Sequence, residues 1–126
     1  MKKILLIAIF LLLFTFLFTP TVLAAPTMDT INRLVCDRFE EDLNKLAAIM
    51  EEVRARKGIT ETRVAFGGID TPIKSADYWI TYGAEALSYQ RSKKYSAKGE
   101  LKYSLEVLKD KVLRAKTEVG KAINEN

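Results

Sequence analysis

The chain has no histidine and a single cysteine, which removes most nucleophilic and metal chemistry at once. Ser–His and Cys–His pairs need an imidazole as base, and the commonest metal sites need one as ligand. Three acidic residues, Asp37, Glu40 and Glu41, fall close together on one predicted helix, where a carboxylate pair would do acid–base work. Arg33, Arg38 and Lys45 interleave with them at helical spacing, the pattern of a solvated charged face. Phe66-Gly67-Gly68-Ile69-Asp70 lacks the spaced glycines and the lysine of a phosphate loop and reads as a turn. No catalytic residue, metal site or cofactor is expected, and the chain reads as non-enzymatic.

What remains is chemistry of binding. Four of the eight aromatic residues beyond position 24 lie within 78–89, so one helix carries an aromatic strip of Tyr78, Trp79, Tyr82 and Tyr89. Such a strip packs a two-sided central helix, or lines a groove for an apolar ligand, a glycan or a partner helix through Trp79, Tyr82 and Tyr89. Just beyond it, Arg91, Lys93, Lys94, Lys98 and Lys102 form a basic stretch opposed only by Glu100 and flanked by Tyr89, Tyr95 and Tyr103. Basic residues interleaved with aromatics suit single-stranded nucleic acid. The export signal described below argues against nucleic acid and toward an anionic envelope surface, lipid headgroup or cell-wall polymer. Cys36 has two readings: a small buried hydrophobe, or the hook of an intermolecular disulfide in an oxidising compartment.

These residues need helices to hold them. Cys36, Phe39, Leu43, Leu46, Met50 and Val53 step 3, 4, 3, 4, 3, one face of a helix expected over about 30–57 with Asp29 or Thr30 as cap and Gly58 as stop. Thr71-Pro72 opens a second helix to about Lys94, with Ile73, Ala76, Ile80, Gly83 and Leu87 as an aliphatic strip beside the aromatic one. Leu101, Leu105, Leu108, Val112, Ala115, Val119 and Ala122 step 4, 3, 4, 3, 4, 3, an unbroken coiled-coil-like seam for a third helix over about 100–123. The expected fold is an all-α three-helix bundle forming one domain, 25–126. An irregular connection, 58–71, tucks Val64 and Phe66 toward the core.

Residues 1–24 differ from everything after them. Lys2-Lys3, the apolar run Ile4 to Phe18, Pro20 and Val22-Leu23-Ala24 follow the charged, apolar, small-residue order of a bacterial-type signal peptide, with cleavage expected after Ala24. The alternative is an uncleaved membrane anchor, since Ile4 to Leu23 is long enough to span a bilayer. Either way Lys2 and Lys3 stay inside, so the helical part is exported: secreted, periplasmic or on the outer face of the cytoplasmic membrane. With Lys2 and Lys3 set aside, 18 basic residues against 16 acidic ones leave a net charge of +2, too small to demand an anionic partner. The sequence therefore points to a secreted or cell-envelope-associated helical protein, an interaction or structural module that binds an unidentified protein or itself. A carrier of a small apolar ligand or glycan is the alternative.

Overall fold

The computed structural model describes residues 25–59 and 71–124. The expected signal segment, and the tuck of Val64 and Phe66, lie outside the described residues. Within them the chain forms three helices, α1 (Met28–Arg56), α2 (Pro72–Ser92) and α3 (Lys98–Asn124), and no strand. This is the expected three-helix arrangement, with each boundary within two residues of its expected position.

The ends are fixed by local chemistry. α1 is capped not by Asp29 or Thr30 but by Thr27. Its backbone is extended and its hydroxyl accepts the Thr30 N–H at 3.2 Å. Asp29 instead sits in the first turn, where a negative charge suits the helix dipole. The far end closes as the sequence predicts. Gly58 adopts φ +68°, its N–H reaches Ala55 O at 3.2 Å, and Ile59 N–H reaches Arg54 O at 2.9 Å. That is the paired bonding of a Schellman stop, which favours glycine at the left-handed position. Thr71 caps α2 through the Lys74 N–H at 3.3 Å, with Pro72 in the first turn. α2 ends at Ser92, earlier than expected, because Lys93 turns extended. α3 starts at Lys98, earlier than expected, which leaves a connection of residues 93–97.

α1 and α3 run parallel, with α2 antiparallel between them. At one end Asn32 of α1 and Ser104 of α3 both meet Gln90 of α2; at the other, Arg54 pairs with Asp77 and Ser75 bonds Glu118. The heptad positions of all three helices face inward. Cys36, Leu43, Leu87, Leu108, Val112 and Ala115 form one buried cluster, and Met50, Ala76, Val119 and Ala122 a second. Leu46 and Ile80 join the two. Alternate α1 positions (Phe39, Leu46, Val53) are only half-buried, as expected where a seam faces two neighbours rather than one. At Gly83 α1 comes close: a Cβ there would stand 3.1 Å from Leu43 Cδ2.

Candidate binding surface

Four features of the bundle carry side chains that could meet a ligand, and their local chemistry separates them.

The first is a polar knot at the end of the bundle where α1 and α3 begin. Asn32 and Gln90 are each only 4% exposed, at positions that continue the apolar seams of α1 and α2. Gln90 Nε2 donates to Asn32 Oδ1 at 2.9 Å, and Asn32 Nδ2 donates to the Gln90 carbonyl at 3.1 Å. Gln90 Nε2 also reaches the Tyr95 hydroxyl at 2.7 Å. That hydroxyl donates to Ser104 Oγ at 2.7 Å, which donates to Gln90 Oε1 at 2.8 Å. No buried side-chain nitrogen or oxygen among the described residues lacks a partner. A closed network of this kind fixes how the helices register and leaves no group free to bind.

The second is the aromatic strip, which divides. Tyr78, Trp79 and Tyr82 form one cluster, with Tyr78 stacked on Tyr82 at 6.1 Å and Trp79 edge-on to both. Lys111 sits over Tyr82 at 5.0 Å and Arg114 over Trp79 at 5.2 Å, so α3 covers one side of the cluster with cations. Trp79 is half-buried against the core, while Tyr82 is at the edge. Tyr89 stands apart, 65% exposed, with the Lys93 ammonium 4.6 Å from its ring centre. Of the expected set, Trp79 and Tyr82 are in ring contact, and Tyr89 lies seven residues further along α2 with Lys93 over it.

The third is the basic stretch, which also divides. Arg91 is clamped to α1 by Asp37 at 2.7 Å and Glu40 at 2.6 Å, and the Asp37 hydrogen bond raises its pKa further. Lys94 pairs with Asp29 at 3.0 Å. Arg91, Lys93 and Lys94 are thus engaged within the fold, whereas Lys98 and Lys102 make no ion pair or hydrogen bond with the described residues and stand on a different surface. Cys36 is fully buried, with its Sγ 3.8 Å from Asn32 Oδ1, and burial pushes its pKa up. A disulfide to a second chain through this sulfur would require α1 to leave the bundle.

The fourth feature is one that the sequence reading missed. Met28, Ile31, Val35 and Phe39 step 3, 4, 4 along α1, a second apolar stripe beside the core seam. Because α1 and α3 are parallel, this stripe lies alongside Leu101 and Leu105 of α3 and forms an open groove of about 440 Å³. The stems of Lys98, Lys102 and Lys109, with Glu106, complete its α3 wall. The groove runs along about three turns of each helix, roughly 16 Å. Its floor is carbon and its rim is mostly cationic. The signal was present in the apolar spacing of 28, 31 and 35. A stripe on one helix becomes a groove only when the partner helix and its direction are known.

Among the described residues no group of three metal-ligating side chains comes together, and no helix is long and apolar enough to cross a membrane. Comparison with protein-family models, with curated protein sequences and with solved structures finds no match to this chain.

Proposed function

We propose that this chain is an exported, non-enzymatic helical protein that works by binding, and that the α1–α3 groove is its binding face. The groove carries this reading because it joins two properties on one face. Its apolar wall is continuous over three turns, and none of its three lysines forms an ion pair with a described residue. Several charges elsewhere are paired within the fold: Arg91 with Asp37 and Glu40, Arg54 with Asp77, Glu118 with Arg114 and Lys121. A face of this composition is matched to an apolar stretch that carries negative charge.

Export is supported by the order of residues in 1–24, and delivery to an envelope brings the face near anionic surfaces. A carrier that uses Trp79, Tyr82 and Tyr89 for an apolar ligand or glycan is the second reading. It is favoured by the exposed edges of Tyr78 and Tyr82, 41% and 37% accessible. It is weakened because Tyr89 lies about two helical turns from Tyr82 and because Lys111 and Arg114 already occupy the cluster's α3 side.

Amine labelling in place tests the groove reading. Intact cells or envelopes and the purified protein are treated with the same acylating reagent, and modification is read by mass spectrometry. Lys98, Lys102 and Lys109 should be protected in the envelope sample relative to exposed Lys116. Equal labelling of all four in both samples would contradict a covered face. The same spectra report whether residues 1–24 are still present, and recovery from the cytosol would contradict export.

A further inference from the structure

We propose that the α1–α3 groove takes one long-chain fatty acid, its chain along Ile31, Val35 and Phe39 and its carboxylate at Lys98 and Lys102. This rests on the groove being the binding face, and goes further by naming the occupant.

Three observations select it. The charge along the rim is uneven. Lys98 and Lys102 stand one turn apart near the Met28 end, whereas the Phe39 end has the single Lys109, and Glu106 lies on the α3 wall between Lys102 and Lys109. A ligand with a single negative end therefore has one preferred direction in the groove. The walls between the charges are side-chain carbon from Ile31, Val35, Leu101 and Leu105, and they offer an unbroken methylene chain what it needs while offering a polar chain nothing. The volume, about 440 Å³, lies within the ordinary range for small-molecule sites. Lysine also fits this role better than arginine. Its stem lies along an apolar surface while its ammonium reaches a small anion without demanding a planar, two-toothed partner.

The test uses the protein in the form its host produces, with a fluorescent long-chain fatty acid as probe. Vesicles of phosphatidylglycerol, vesicles of phosphatidylcholine and an acidic amphipathic peptide serve as competing occupants. The N-terminal segment is the same in every variant, so differences among variants report on the groove. The native chain should bind the fatty acid saturably and bind the fatty alcohol of equal length at least about tenfold more weakly. Lys98→Gln with Lys102→Gln should weaken the acid by about tenfold or more and leave the alcohol unchanged. Val35→Trp should block both ligands, and Lys116→Gln neither. The lysine substitutions are at exposed positions and keep the test decisive should the tryptophan variant misfold.

Equal binding of acid and alcohol, or acid binding indifferent to Lys98 and Lys102, would overturn the proposal. So would binding of phosphatidylglycerol vesicles or of the acidic peptide without binding of the free acid. If the groove lysines are protected in the envelope while no fatty acid binds, only the occupant is wrong. If neither protection nor binding is seen, the binding-face reading falls as well.

Discussion

Gln90 and Asn32, 58 residues apart in sequence, bond to each other twice: side chain to side chain at 2.9 Å, and Asn32 Nδ2 to the Gln90 carbonyl at 3.1 Å. Both sit where an apolar residue would continue the seam. Replacing Asn32 leaves Gln90 Nε2 with only the Tyr95 hydroxyl, and replacing Gln90 takes the amide donor from Asn32 Oδ1 and a partner each from Tyr95 and Ser104; losing such buried bonds costs about 1–3 kcal/mol. Asn32→Leu and Gln90→Leu should each destabilise by that amount in urea unfolding. The double variant should cost clearly less than the sum, because two apolar groups leave less unpaired. Strict additivity would show that the pair is not coupled.

Cys36 should be silent toward thiol reagents in the native state. Its sulfur is inaccessible and its raised pKa leaves little thiolate at neutral pH. Labelling should follow the urea unfolding curve. Rapid labelling in buffer, or a disulfide-linked dimer that unfolds like the monomer, would contradict the buried position.

Glu118 gives the bundle an acid-sensitive contact. The Lys121 hydrogen bond, helped by Ser75 and by the charges of Lys121 and Arg114, lowers its pKa against the opposing effect of burial. A carboxyl whose pKa is lower in the folded state contributes stability above its unfolded value, about 4.3, and that contribution is lost as pH falls through the lowered folded value. Glu118→Gln should cost about 1 kcal/mol at neutral pH. Below about pH 4.3 the gap to the native chain should narrow. A gap that widens on acidification would show the opposite sign of coupling.

Two glycines should respond in opposite directions. At Gly83 a Cβ stands 3.1 Å from Leu43 Cδ2, so Gly83→Val must displace a buried side chain and should cost about 1–3 kcal/mol. At Gly120 nothing lies within 4 Å of the added Cβ. Gly120→Ala should therefore gain about 0.5–1 kcal/mol from helix propensity alone. Thermal unfolding checks both.

The two parts of the aromatic strip should also separate. Trp79→Ala removes a half-buried ring packed on the core and covered by Arg114, and should cost up to about 3 kcal/mol, the lower end for large aromatic truncations. Tyr89→Ala should cost less than about 0.5 kcal/mol, as at exposed surface positions. Equal costs would mean that the strip acts as one surface.

The inward seams were readable in the sequence because their apolar residues recur at steps of three and four with little interruption. Leu101 to Ala122 faces the core throughout, with Leu105 alone left half-buried. The helix stop at Gly58 and the start at Thr71-Pro72 were readable because backbone chemistry there is local. Asn32 and Gln90 escaped notice because they are polar residues at seam positions, and a pattern of apolar spacing passes over them. The basic residues 91–102 are close in sequence, but the turn between α2 and α3 divides them in space. The end of α2 and the connection after it place Arg91 and Lys94 against α1, while Lys98 and Lys102 line the groove. The groove itself belongs to no single segment. It arises from the parallel pairing of α1 and α3, which the chain's long-range packing determines and its local periodicity does not.

The most direct measurement is amide chemical-shift mapping while a long-chain fatty acid is titrated into the isotope-labelled protein. The largest shifts should fall on Met28–Phe39 and Lys98–Lys109, saturating together, with Tyr78–Tyr89 little affected. Shifts centred on Tyr78, Trp79 and Tyr82 would contradict the account, as would the absence of saturable shifts anywhere in α1 and α3.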